Sequence, residues 1–338
     1  MSRALDTAKS QQSNSGPIPP FVAGKNAIIN GGMDIWQRGT SFASLTAASS
    51  STFAADRWQV YVGNAGRTVS QQASGLTAFR YSMRVARDSG NTSTAVTQVT
   101  QNIESNMSYP LAGKTVTVSF YGKAGANYSA ASGALTYGLY QGTGIDQNVF
   151  GMTGGSGVGT GTATLTTSWQ RFSFSVTVPT TSTELAVYLN TTPVGTAGAN
   201  DWFEITGIQL EVGSVATPFS RAGGTIGGEL AACQRYYFRT QTGTGQPYMG
   251  VTVAGSSTTT YANIIHKVTM RSTPTSVDFS AIKWQAINNS GNISSASISD
   301  ATPENTLLVC GTTGATTAQM NYVIGQTTSG YIGISAEL

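Results

Sequence analysis

From Asn26 onward, apolar and polar side chains alternate in short runs. In residues 170–178 (QRFSFSVTV), Phe172, Phe174, Val176 and Val178 fall on one side, and Arg171, Ser173, Ser175 and Thr177 on the other. A period of two marks a half-buried strand, because successive Cβ atoms leave opposite faces of an extended chain. Residues 115–121 (TVTVSFY) and 185–189 (LAVYL) read the same way. Clusters of Gly, Asn, Ser and Pro, as in 151–161 and 191–200, punctuate the runs. The pattern predicts an all-β fold, a jelly-roll β-sandwich over residues 26–222 with 151–161 as a glycine-rich loop across one end. Residues 219–230 (FSRAGGTIGGEL) read as a hinge because of their closely spaced glycines, with a short helical turn over 228–235 after it. Strand-like runs then resume at 249–253, 264–270, 276–284, 307–310 and 331–336, which predicts a smaller β-sandwich domain over 223–338. Residues 1–25 form an N-terminal arm. Their QQSNSGPIPP stretch is extended and buries little by itself, so a partner is needed to order it.

Composition narrows the function. Only 10% of the 338 residues are charged and the net charge is +3, so no field for a polyanion exists and no nucleic acid is expected as partner. No run approaches the roughly 18 consecutive apolar residues of a membrane span, so no membrane insertion is expected. The first 20 residues lack the apolar stretch of a secretory signal. Cys233 and Cys310 lie far apart without metal-ligand spacing, and their separation neither demands nor forbids a crosslink. The pattern fits synthesis in a reducing cytoplasm followed by exposure outside it.

Catalytic constellations are scarce. His266 is the single histidine, and no nucleophile motif accompanies it, so it reads as an ordinary strand position. Asp201 and Glu204, with Glu211, are the candidate carboxylates for glycoside cleavage. Alternation sends Asp201 and Phe203 to one face and Trp202 and Glu204 to the other, which does not flank one bond. The glycines of 151–161 lack the Lys-Ser/Thr ending of a phosphate loop. No enzyme activity is expected. Trp36 and Trp58 are expected in or beside the sandwich core, with Asp56-Arg57 pinning their loop against Asp34 or Arg38. Leu210 and Val212 are expected to face the core, with Gln209 and Glu211 serving packing and a loop salt bridge.

Residues 26–42 (NAIINGGMDIWQRGTSF) with 55–58 (ADRW) resemble the opening of a jelly-roll module of tailed-phage fibre and tail-tip proteins, a module similar in fold to carbohydrate-binding modules. Residues 113–123 (GKTVTVSFYGK), 169–179 (WQRFSFSVTVP) and 205–219 (ITGIQLEVGSVATPF) fit its later strands. ELAACQRYY at 229–237 resembles the junction behind it, and VTMRSTP at 268–274 with IGISAEL at 332–338 resemble the C-terminal domain. The resemblance implies a structural and adhesive subunit of a phage virion, most simply a tail fibre or receptor-binding protein. Residues 1–25 would dock on other virion proteins and the C-terminal domain would face the host. The subunit would be a homotrimer whose protomers pack through faces near 331–334. The alternatives are a capsid-decorating or head-fibre protein and a polysaccharide depolymerase.

The resemblance also implies a host surface glycan or lipopolysaccharide as ligand, held by aromatic faces and amide or guanidinium donors. Trp202, Tyr137, Tyr140, Tyr248 and Trp284 are the candidate platforms, although each also reads as a packed sandwich residue. A structural calcium is the one inorganic partner implied, with Asp201, Asn26 and Asp34 as oxygen donors. No other cofactor is expected.

Overall fold

The alternating runs become antiparallel strands in the computed structural model, which describes residues 24–46, 52–63, 66–241, 248–286 and 289–338. Residues 1–23 of the expected arm lie outside the described residues. The first part of the chain supplies β1 (Ser41–Leu45), β2 (Thr52–Phe53), β3 (Gln59–Tyr61), β4 (Arg67–Leu76), β5 (Phe79–Arg87) and β6 (Thr97–Ile103). A short helix α1 (Ser105–Ser108) precedes β7 (Thr115–Ala124), β8 (Ala134–Gly142), β9 (Ser156–Thr164), β10 (Gln170–Thr177), β11 (Glu184–Thr191) and β12 (Trp202–Val212). These form two sheets, ordered β1-β4-β5-β12-β7-β10 and β2-β3-β6-β11-β8-β9. The second part supplies α2 (Ile226–Gln234), β13 (Tyr237–Gln241), β14 (Gly250–Ala254), β15 (Thr259–Ile265), β16 (Ser276–Ser280) and β17 (Ile282–Gln285). It continues with β18 (Ser290–Asn292), β19 (Ser295–Ala301), β20 (Asn305–Gly311), β21 (Met320–Gly325) and β22 (Tyr331–Ser335). Its sheets run β13-β22-β16 and β18-β17-β21-β14-β15-β20-β19. The all-β expectation of sandwich domains holds.

The inward side chains of both jelly-roll sheets interdigitate, as facing amphipathic sheets must to remove their apolar faces from water. Trp58, Phe120, Phe203, Met83 and Leu139 are buried there, and Trp36 is buried beside them. Tyr137 meets Phe120 edge-on at 4.9 Å and Phe174 at 5.3 Å. Residues 156–161, expected in a loop, belong to β9. Their glycines leave room for neighbouring side chains, and a Cβ at Gly161 would fall 2.6 Å from the Tyr137 ring. Leu210 is buried as expected, but Val212, the last residue of β12, is 59% exposed. A bulge between Thr206 and Gln209 precedes these positions, and both Gln209 and Glu211 are buried. Glu211 accepts from Thr217 N at 2.9 Å and from Gln209 Nε2 at 2.7 Å, and Lys25 Nζ stands 3.6 Å away. Burial alone would raise the Glu211 carboxyl, but these bonds and Lys25 together hold it below its usual value.

The glycines of 219–230 do not make a hinge. Gly223 lies backbone-to-backbone against Gly228, with no room for a side chain on either. Thr225 caps α2 by accepting from Gly228 N at 3.1 Å, and buried Glu229 accepts from Gly223 N at 2.7 Å and from Asn30 N. The glycines permit close approach here, and Glu229 ties the connector to the loop before β1.

This loop and the turn between β2 and β3 carry the contact between the two sandwiches. Asp56 does not bind Arg57. It accepts from Gln37 N at 2.9 Å and from Gln37 Nε2, which also donates to Tyr237 O at 2.7 Å. Arg57 reaches across the junction to Glu337, stacks 3.4 Å above the Tyr236 ring and donates to Asn102 O at 2.7 Å. Arg38 lies 3.5 Å over the Tyr237 ring and 3.3 Å from Glu337. Asp34 pairs with Arg221 at 2.8 Å.

Burial pushes the Asp56 carboxyl up to about 6, against the opposing pull of Arg38 and the Gln37 bonds. A raised carboxyl pKa favours the folded state below the unfolded value and loses that contribution as pH rises through 6. Between pH 4 and 7 the stability difference between wild type and Asp56→Asn therefore shifts by about 2 kcal/mol in favour of wild type at the acid end. Urea unfolding of both proteins across that range checks it.

In the C-terminal sandwich, Trp284, Phe238, Leu308, Ile332 and Ile334 build the core. Trp284 therefore offers no face to a ligand. Ile332 and Ile334, near which protomers were expected to pack, are buried in the core of their own domain. His266 is buried, with Nδ1 2.8 Å from Pro303 O and Nε2 2.9 Å from Thr306 Oγ1, and burial lowers its pKa. Cys233 and Cys310 are free thiols buried in separate clusters.

Candidate functional site

The outward face of the sheet β2-β3-β6-β11-β8-β9 is concave at its centre. Strand register fixes its composition, because alternate residues of β6, β8 and β11 must point out when Val99, Leu139, Val187 and Leu189 point in. One outward row is Tyr61, Gln98, Asn190 and Thr136, the next contains Thr100, Tyr188 and Gly138, and a third pairs Ala186 with Tyr140. The resulting groove has a volume of about 530 Å³ and is lined by Gln98, Tyr140, Val149, Phe150, Gly157, Tyr188 and Asn190.

Tyr188 and Gly138 are direct cross-strand partners. An added Cβ at Gly138 would fall 2.5 Å from Tyr188 Oη, so the glycine lets the phenol ring lie down across β8. A ring lying along a sheet presents one face to the sheet and the other outward. Burial and neighbouring Tyr140 raise the Tyr188 pKa, which keeps its hydroxyl a donor at neutral pH. Asn190 lines the groove, with its Oδ1 shielded from solvent and without a hydrogen-bond partner.

The connection from β8 to β9 forms the remaining wall. Asn148 Nδ2 donates to Gln59 Oε1 and to Leu338 O, both at 3.0 Å, and Val149 N donates to Asn102 Oδ1 at 2.9 Å. These bonds hold Phe150 5.3 Å from Tyr61, ring centre to ring centre, with about half of the residue exposed. The groove thus combines flat aromatic surface with amide side chains, and its lining holds no carboxylate, imidazole, lysine or arginine.

Of the five aromatic candidates, the structure brings only Tyr140 to this groove. Tyr137 and Trp284 are core residues, and Tyr248 stands on the C-terminal domain 4.3 Å from the Tyr322 ring. Trp202 lies on the other sheet, where the Arg84 guanidinium covers its ring at 4.1 Å and Lys123 approaches to 5.8 Å. Sequence reasoning missed Tyr188, Phe150, Gln98 and Asn190. The signal for Tyr188 was present in LAVYL, where the tyrosine occupies the outward phase between two core aliphatics.

The carboxylates are spoken for. Glu204 is buried beneath Arg84 at 2.6 Å and Lys123 at 3.3 Å. Asp201 accepts from Arg87 Nη1 at 3.0 Å and from Ser129 N at 3.0 Å. Arg87 is itself encircled by oxygens: Nη1 also donates to Ser129 Oγ at 2.8 Å, and Nη2 donates to the carbonyls of Asn91, Ser93 and Gly195 at 2.9, 3.1 and 2.9 Å. Carbonyls plus a carboxylate are the donor set calcium prefers, and a guanidinium occupies their centre. Burial first, and then the adjacent Arg87, lower Arg67 to about 10, against the opposing pull of Asp201 and Asp88.

The calcium expectation therefore fails on geometry. Asn26 spends its side chain on Ile208 O, Ser220 O, Ile28 N and Leu210 N, and Asp34 is paired with Arg221. Asn26 binds β12 near Leu210 while Asp201 precedes its first residue, a separation of roughly 25 Å along the strand. Among the described residues no cluster of His, Cys, Asp and Glu could hold a metal ion. Thermal unfolding with and without a chelator should give the same midpoint; a drop on chelation would contradict the assignment of the cation role to Arg87.

No protein-family model matches the chain, and no curated protein matches it. Solved structures similar to it include a CBM4 module at 19% identity and TM-score 0.34, covering 54% of this chain and 98% of the module. TmCBM61, solved with beta-1,4-galactotriose, is similar at 14% identity and TM-score 0.31, covering 56% of this chain and 99% of that one. The enzymatically active domain of tailspike protein 4 from bacteriophage CBA120 is similar at 14% identity and TM-score 0.35, covering 56% of this chain. The match spans 21% of the tailspike chain.

Proposed function

We propose that the protein is a glycan-binding subunit of a tailed-phage virion, a tail fibre or receptor-binding protein in which the jelly-roll groove holds a host surface polysaccharide or lipopolysaccharide. Residues 1–25 serve as the attachment arm, 26–222 as the binding module and 223–338 as a second β-domain, and the subunits work as homotrimers. The observation that carries the glycan reading is Tyr188 lying across Gly138, beside Tyr140 and the amides of Gln98 and Asn190. Pyranose rings present flat C–H faces that stack on such rings, while their hydroxyls need partners able both to donate and to accept. No carboxylate or imidazole lines the groove, and the reading is retention without turnover.

Binding of the full chain to arrayed bacterial polysaccharides and lipopolysaccharides tests it. Tyr188→Ala and Tyr140→Ala should each lower affinity about tenfold for the glycan that binds wild type. Gly138→Val should do so without touching a contact residue, because its side chain lifts the Tyr188 ring. Unchanged affinity in these folded variants, or no binding to any arrayed glycan, would sink the proposal.

A further inference from the structure

We infer that the outer face of the C-terminal sheet β18-β17-β21-β14-β15-β20-β19 is the surface through which copies of this chain associate. Strands β14, β15 and β21 carry apolar side chains on both faces among a few polar ones, Thr252, Thr260 and Asn321 inward and Asn263 outward beside Val251. Inward they contribute Ala254, Ile264 and Val323 to the core; outward they present Val251, Val253, Tyr261, Ile265, Met320 and Tyr322. The register aligns these outward residues as neighbours, Tyr322–Val251 in one row and Met320–Val253–Tyr261 in the next. Strands read this way when both faces of their sheet are covered. Ile265 is 75% and Met320 71% exposed, so in the single chain one face lacks its cover.

The surroundings have the anatomy of an interface. The apolar rows end in Gln285 and Lys283 on β17 and in Ser297 and Asp300 on β19, a polar rim around an uncharged centre. With Tyr248 beside it, the apolar centre reaches several hundred Å², comparable with the roughly 800 Å² that each partner gives a standard interface. Faces this apolar belong to permanent assemblies. A permanent cover must be at hand when the chain folds, and an uncharged face does not repel its own copy. A second copy meets both conditions. The inference names the contact surface of the oligomer proposed above and rests on that oligomer, but not on glycan binding.

Sedimentation velocity of the full chain tests it, with Val253→Arg/Ile265→Arg as the face variant and Ile145→Arg, an exposed apolar residue of the jelly roll, as control. Wild type and the control should sediment as oligomers. The face variant should sediment as a monomer with the wild-type circular dichroism spectrum and unchanged per-site glycan affinity. A monomeric wild type would leave the face to another protein or to a glycan and overturn the inference. Oligomers that persist in the folded face variant would overturn it as well. A face variant that fails to fold is replaced by Met320→Lys, at the margin of the patch, read by the same two outcomes. Unchanged glycan affinity in the groove variants, with wild type sedimenting as an oligomer, would count against the glycan reading alone.

Discussion

Arg87→Met should destabilise the jelly roll by about 3–5 kcal/mol, the scale for removing one partner from a buried ion pair. The side chain is almost fully buried and its guanidinium ties together three stretches of chain, 91–93, 129 and 194–195, through their oxygens, with Asp201 as counter-charge. Methionine fills similar volume but leaves Asp201 without its cation and several carbonyls without a donor. Each orphaned buried acceptor adds about 1–3 kcal/mol to the loss, partly relieved by entering water. Arg87→Lys should recover only part of it, because one ammonium cannot reach oxygens arranged around a planar fork. Urea unfolding followed by tryptophan fluorescence reads the difference, and a loss below 1 kcal/mol would mean that water can replace the guanidinium.

Arg57→Met should cost about 3 kcal/mol and also change the form of unfolding. Arg57 is fully buried, and burial alone would lower its pKa, yet the Glu337 carboxylate and Tyr236 hold it above its usual value. Removing it leaves Glu337 with Arg38 alone, in a junction that Tyr236, Tyr237 and the connector share. The two sandwiches have separate main cores and meet through this polar junction and a small apolar cluster of Ile29, Ile35, Cys233, Tyr236 and Leu338. Wild type should melt in one calorimetric transition and Arg57→Met in two. The double variant Arg57→Met/Glu337→Met should cost less than the sum of the single ones, because both substitutions remove the same Arg57–Glu337 pair.

The sandwich architecture was legible because amphipathic strands write their burial into a period of two, as in 115–121 and 170–178. The edge between loop and strand at 151–161 was not, because glycines that make room for Tyr137 look like glycines that make turns. The connector at 219–230 misled for the same reason, since close backbone packing of Gly223 on Gly228 and a flexible hinge draw on the same residue. The junction had no local signature, since Arg57 and its partner Glu337 are 280 positions apart. The groove was half legible. Tyr140 and Tyr188 occupy outward phases of their strands, but only the pairing of β8 with β11 sets Tyr188 over Gly138. Composition cannot separate an aromatic ring on a concave face from one in a core, and for that reason Tyr137 and Trp284 stood beside Tyr140 as equals.

Hydrogen–deuterium exchange of the full chain, with and without a saturating oligosaccharide from the glycan it binds, tests the central claim most directly. Protection should appear in peptides covering 98–102, 136–140, 146–151 and 186–190, with none over 250–265 or 320–324. Protection confined to the C-terminal sheet, or placed around Trp202, would contradict the assignment of the groove.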